Sequence, residues 1–329
     1  MAEVYPLPVG SVTFPYLKAM LATRAAAHTC KEVTPECPLG GTIYGYAPDY
    51  STTVEFAVIF AICCLVQLVQ MFRWRLWSFS ICVILGALTE GLTKQAGYFG
   101  RILLNQNPYS SIGFQTQIVT LTLAPAFWSA AMYLTLKHEV NVLGPQYSLI
   151  QSKLYPYIFV TCDIVSLTLQ GAGGGISATA KTTKMIDMGS HIMMAGIVWQ
   201  VVTLTVFAMM SAQFLWRIRS APKETLTFEA QRVWKSSKFW SFFWGIAIAF
   251  STTYVRCIYR IVEMSDGWRN KIMQDEFSFT LFESAMCVAA VVALCIAHPG
   301  YLFKEMRRDH DEESMVDLKG IQYREKEFV

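Results

Sequence analysis

Charge is what this sequence has least of: only 16% of its 329 residues are Asp, Glu, Lys or Arg, against 53% hydrophobic residues. That balance excludes a highly solvated chain and points to a membrane protein. The net charge of +3 marks topology rather than nucleic acid as a partner. Other absences narrow the chemistry. There is no GxxxxGK[ST] or GxGxxG pattern, no Cys-x-x-Cys and no Asn-x-Ser/Thr sequon. His28, His138, His191, His298 and His310 stand apart without metal-ligand spacing. No nucleotide loop, metal site, cofactor or catalytic residue is therefore expected, and the chain is read as a non-enzyme.

What is present is apolar sequence in seven long windows, at about 54–72, 77–104, 114–136, 155–177, 189–214, 239–262 and 281–303. Each is long enough for a helix to cross about 30 Å of hydrocarbon at about 1.5 Å per residue. The expected fold is all-α: a polytopic seven-transmembrane-helix bundle over 51–303. Residues 1–50, rich in Pro and Gly, are expected to be an irregular extracellular segment without a cleavable signal. The densely charged 304–329 should be a disordered cytoplasmic tail. Lys and Arg collect at 73–75, 137–153, 217–238 and from Lys304 onward, which places the N-terminus outside and the C-terminus in the cytoplasm. The basic 215–238 connection carries Trp216 and Trp234, which suit an interfacial anchor, and it or the tail can receive a cytoplasmic partner. Cys30 and Cys37, the two cysteines outside the windows, can form a disulfide on the outer side.

Polar residues inside the windows carry the functional signal. Glu90, Lys94, Gly97 and Arg101 recur at intervals of four, three and four on one helical face. Arg256, Arg260 and Glu263 do the same at i, i+4 and i+7, and Asp163, Ser166 and Gln170 at i, i+3 and i+7. Glu283 adds an acid near the start of the last window. A charge at mid-bilayer costs at least about 2.5 to 3.5 kcal/mol, so these faces should meet a partner helix or a wet cavity. Glu90, Asp163, Glu263 and Glu283 balance Lys94, Arg101, Arg256 and Arg260, and a mutually paired polar core is the economical arrangement. Such pairs can equally serve only to fix helix register, and Lys94, Arg101 and Glu283 can snorkel to water. Gly171 and Gly175, four apart, offer a close-packing face; the same glycines can instead unwind the helix and free carbonyls for a ligand. Gln200 shares a face with Gly189 and Gly196. Pro125 should kink the third span and serve as a hinge or merely as shape.

"GYFGR" at 97–101, "LAPAFWSAAMY" at 123–133, "CDIVSLTLQGAGGG" at 162–175, "AGIVWQ" at 195–200, "RCIYRIVE" at 256–263 and "HPG" at 298–300 occur in this order. Together they resemble the fungal lipid-translocating exporter family, the RTA-like or resistance-to-aminocholesterol family. The resemblance implies a seven-span plasma-membrane protein that exports or translocates sphingoid long-chain bases, confers resistance to toxic amphiphiles or, in one branch, moves porphyrins. At Lys94 the chain departs from the family pattern, which has an acid there. The leading expectation is a translocator of amphipathic lipid-like molecules, with membrane lipids and an amphipathic small molecule as partners. Asp163, Glu90 and Glu283 would attract an amine head group, and Tyr98, Trp128, Tyr133, Trp199 and Tyr254 would line an apolar path. The rival reading is a lipid-responsive seven-helix receptor or stress-resistance regulator without transport.

Overall fold

The computed structural model describes residues 50–90, 111–180, 182–222, 226–265, 272 and 274–302. Lys94, Gly97, Tyr98, Arg101, Cys30, Cys37 and the tail from residue 304 lie outside them. Within the described residues the chain is helical, with no strand. The helices are α1 (Tyr50–Trp74), α2 (Trp77–Glu90, to the edge of the described residues), α3 (Ser111–Leu143), α4 (Leu154–Thr179), α5 (Thr183–Ser220), α6 (Phe228–Lys235), α7 (Ser237–Ser265), α8 (Glu276–Ile296) and the short α9 (Pro299–Leu302). Four of them, in α1, α5, α7 and α8, are long and apolar enough to cross a membrane.

The packing is inverted relative to a soluble bundle. On α4 the buried stripe is Tyr155, Phe159, Asp163, Ser166, Gln170 and Gly173, one helical face at intervals of four, four, three, four and three. Ile164, Val165 and Tyr157 point outward instead. An exposed apolar surface with the polar side chains turned inward is what a hydrocarbon solvent selects, because lipid penalises polar side chains and not apolar ones.

Two apolar clusters fill the interior. Phe60, Val83, Trp128, Val291 and Leu294 join α1, α2, α3 and α8. Tyr133, Phe159, Leu204, Phe207 and Phe242 join α3, α4, α5 and α7. Arg75, in the left-handed region at φ 57°, turns the chain between α1 and α2.

Several sequence expectations change. The 215–238 connection is largely helical: α5 continues to Ser220 and α6 follows, its N-terminus capped by the Thr227 hydroxyl, which accepts from the Ala230 N–H. The last span ends at Ile296 rather than 303. Its final carbonyls, which have no intrahelical donor, are taken up from α1. Gln67 Nε2 donates to the Leu294 oxygen at 3.4 Å and Gln70 Nε2 to the Cys295 oxygen at 3.0 Å. Beyond the break, His298 Nδ1 accepts the Gly300 N–H at 3.1 Å. Nε2 therefore carries the proton and donates it to Ser80 Oγ, also at 3.1 Å.

The glycine run is a continuous part of α4, not an unwound segment. Its packing residue is Gly173, and this corrects the assignment to Gly171 and Gly175, whose missing side chains would face open space. A Cβ on Gly173 would press on the Met193 backbone and lie 2.5 Å from the Gly189 carbonyl oxygen; one on Gly189 would lie 2.6 Å from the Gly173 oxygen. The α4 and α5 backbones thus touch where side chains are absent. Gly173→Val should lower thermal stability by about 1 to 3 kcal/mol through overpacking. Gly171→Ala, on an open helical surface, should be neutral or stabilising by up to about 1 kcal/mol. Thermal unfolding of the two purified variants in detergent separates the assignments.

Candidate functional site

A chain of charges runs along α7 and onto α8. Arg256, Arg260 and Glu263 share a face of α7, as their spacing predicts, and α8 supplies Glu283. The Arg256 Nη2 group donates to Glu283 Oε1 in a short ion pair. Arg260 Nη1 pairs with Glu263 Oε2 at 2.5 Å, and its Nε lies 3.9 Å from Glu283 Oε2. Glu283 therefore stands between two guanidinium groups. It is fully buried, so the expectation that it snorkels to water is corrected. Glu90, also fully buried, acts electrostatically on Arg256.

Two backbone irregularities set this geometry. Pro125 has no N–H, so the Leu121 carbonyl one turn earlier has no helical donor. Arg256 Nη2 takes that place, donating to the Leu121 oxygen at 2.6 Å. Pro125 is thus less a break in α3, which is helical from Ser111 to Leu143, than the source of an acceptor for the charge network. The second irregularity is a π-helical segment at Thr280–Ala285, which contains Glu283. Single π turns inside α-helices are frequent at functional sites. Pro125→Ala restores the missing α3 bond and makes the Leu121 oxygen shared. The Arg256 bond to that oxygen should then weaken while the fold is kept, measured as a small shift in thermal unfolding of the purified variant in detergent.

Asp163 is placed differently. Only 3% exposed, it has no ion pair among the described residues, and both of its oxygens lack hydrogen-bond geometry. The Tyr133 hydroxyl from α3 lies close enough to interact with the carboxyl without ideal alignment. That ring is fixed by Phe159 and Phe207, at centroid distances of 5.2 and 4.7 Å. The Cys257 thiol, next to Arg256 in sequence, interacts with both Asp163 and the arginines. The unpaired carboxyl and the charge chain are therefore adjacent parts of one interior.

Gln170 and Gln200 serve a different contact. Gln170 Nε2 donates to Ser166 Oγ at 2.7 Å and to Gln200 Oε1 at 3.1 Å, and Ser166 Oγ donates to the Gly196 oxygen at 2.7 Å. These bonds tie α4 to α5 beside the glycine contact, as interhelical polar side chains do in bilayers. The aromatic residues do not form one path. Trp128 is sealed in the core against Phe60, Trp199 is half exposed with its Nε1 donating to the Cys162 oxygen, and Tyr254 bonds to Thr205. Sequence reasoning missed Gly173, the π segment and the Leu121 acceptor; the first had a signal in the rhythm of Asp163, Ser166 and Gln170 and the last in Pro125, and the π segment had none. Among the described residues no group of three or more His, Cys, Asp or Glu side chains has the arrangement of a metal site.

Comparison with known proteins adds a sequence relationship to this geometry. Residues 83–306 match the protein family described as "RTA1 like protein". The chain is 30% identical over 288 residues, 79% of its own length and 74% of the relative's, to the sphingoid long-chain base transporter RSB1 of Saccharomyces cerevisiae. It is 28% identical over 210 residues, 63% of its length and 66% of the relative's, to protoporphyrin uptake protein 1 of the same species. Protein RTM1 of that yeast is 28% identical over 212 residues, covering 63% of this chain and 64% of its own. No solved structure matches the chain.

Proposed function

Because the chain belongs to the RTA1-like family, we propose that it is a seven-span translocator of cationic amphiphiles, with sphingoid long-chain bases as its substrate class. In this reading α1, α2, α3, α4, α5, α7 and α8 are the spans. The N-terminus lies outside and the C-terminus in the cytoplasm of a plasma-membrane protein that exports its substrate and protects against toxic amphiphiles. The observation that carries the reading is Asp163: a buried carboxyl with no ion pair among the described residues, beside a buried tyrosine. A charged side chain in a membrane interior is costly and marks a substrate or ion pathway by default. A protonated amine entering from the bilayer supplies the countercharge, while its alkyl chain stays in hydrocarbon.

The sign of the interior favours amines over carboxylates. Among the described residues the buried acids are Glu90, Glu139, Asp163, Glu263 and Glu283, against buried Arg256 and partly buried Arg260 as bases. Protoporphyrin, which the name of one relative specifies, carries two propionates and would meet like charge. The Arg256–Glu283–Arg260–Glu263 chain then acts as the bistable element, because ion pairs between α7 and α8 exchange partners only if those helices shift.

The test is movement of a labelled long-chain base in proteoliposomes of purified full-length protein, against empty vesicles and a carboxylated amphiphile of equal chain length. Protein-dependent movement of the amine alone agrees with the reading. If the folded protein moves neither compound, or both equally, the reading is wrong.

A further inference from the structure

α5 ends in a groove that the transport reading does not use. It has a volume of about 390 Å³ and lies between the turn after α3 and the last turn of α5, where Gln146, Tyr147, Trp216, Arg217 and Ser220 line it. The lining, which also includes Ala221 and Pro222, is mostly apolar; Arg217 and Ser220 bring a guanidinium and a hydroxyl to it from the last turn of α5, and none of the lining residues is acidic. Arg217 has no ion pair among the described residues, and Arg219 is exposed one residue beyond Ile218. These two arginines occupy the last turn of α5, where the helix carbonyls would otherwise repel an anion. Their charge reverses that sign locally.

The helix leads a hydrocarbon chain to this place. Val198, Val202, Val206, Met209 and Trp216 are exposed along α5. At 100° per residue they fall on one face, within about 40° of Ser220. The track from Met209 to Ser220 is about 16 Å long at 1.5 Å per residue, close to half the hydrocarbon thickness of a bilayer. Trp216, the most exposed residue of the track at 69%, stands where aromatic side chains gather at a membrane interface. An apolar strip of one leaflet's depth therefore ends in a groove that carries a guanidinium and a hydroxyl.

We infer that this groove is a binding site for an anionic glycerophospholipid, its phosphate held by Arg217 and Ser220 and one acyl chain lying along the outer face of α5. A phosphodiester accepts from a guanidinium and a hydroxyl together, and Arg is the side chain whose fork fits phosphate oxygens. The site is independent of the translocated substrate. It anchors the end of α5, and through α5 the glycine contact with α4 that carries Asp163.

Native mass spectrometry of the purified full-length protein, incubated with equal amounts of phosphatidylserine and phosphatidylcholine, tests it. Selective retention of phosphatidylserine is expected, falling about fivefold in Arg217→Gln, the effect of one cation at a membrane surface. Arg217→Lys should keep part of the retention, and Arg232→Gln, outside the groove, all of it. Glycerophosphoserine, which has no acyl chains, should not displace the lipid. Equal retention of both lipids, or of phosphatidylserine by Arg217→Gln and the parent, overturns the site. Displacement by glycerophosphoserine at matching concentration overturns the lipid assignment, since a headgroup alone then suffices. Should Arg217→Gln fail to fold, Ser220→Trp fills the groove without touching the charge and is expected to lose the same retention; unchanged retention there counts against the site.

Discussion

Arg256→Ala is expected to leave little folded protein. The substitution strands Glu283, fully buried, with only the Arg260 contact at 3.9 Å. It also returns the Leu121 carbonyl to the unbonded state that Pro125 creates. Breaking a buried ion pair by removing one partner costs about 3 to 5 kcal/mol, and an unsatisfied buried carbonyl adds about 1 to 3. Against a total stability on the order of 5 to 15 kcal/mol, that loss is decisive. Arg256→Lys should do little better, because one ammonium cannot reproduce the guanidinium fork that reaches carbonyl and carboxylate together. The informative variant is the double one, Arg256→Gln with Glu283→Gln, which removes both charges and keeps donors and acceptors in place. It should fold, measured by thermal unfolding in detergent, and yet lose translocation. A single Arg256→Ala protein that melts within about 2 °C of the parent would show that the pair contributes no stability worth the name.

The faces that carry this network are legible in the sequence because helical periodicity is a local property. Arg256, Arg260 and Glu263 are neighbours on α7 whatever surrounds them. That Glu283 meets Arg256 rather than snorkelling to water depends on how α8 packs and on a π turn at 280–285 that leaves no mark in composition. The glycine run teaches a sharper lesson. Gly171 and Gly175 match a familiar spacing, but spacing alone does not say which way a helix faces. Asp163, Ser166 and Gln170 do say it, since their three-and-four rhythm continues to Gly173, which is the residue that touches α5. A polar stripe on a helix in lipid marks the buried face, and small residues pack only where they share it. The 215–238 connection was obscured for the opposite reason. Its basic residues mark a connection and an interfacial anchor, and cations at the end of α5 and along α6 are equally compatible with helix.

Asp163→Asn should separate function from folding most cleanly. The two side chains have nearly the same shape, so packing against Tyr133 and Phe159 is kept, and the carboxyl has no ion pair among the described residues to lose. Removing a buried ionisable group without breaking a pair carries none of the penalty expected for Arg256→Ala, so the variant should unfold at the same temperature as the parent or above it. Recognition of a protonated amine, by contrast, loses its countercharge. A hydrogen bond to a charged group is worth about 1.5 to 3 kcal/mol, and each 1.4 kcal/mol is tenfold. Translocation of a long-chain base should therefore fall by about tenfold or more, while an uncharged amphiphile of equal length is unaffected. Asp163→Glu, which keeps the charge but moves it by one methylene, should fall between the two. A folded Asp163→Asn protein that moves the base at the parental rate would remove Asp163 from the pathway. The countercharge would then have to come from Glu90 or Glu283, whose oxygens are engaged with Arg256 or close enough to feel its charge. Such a substrate would have to compete with an arginine already in place, which makes those carboxylates the poorer countercharge for an amine.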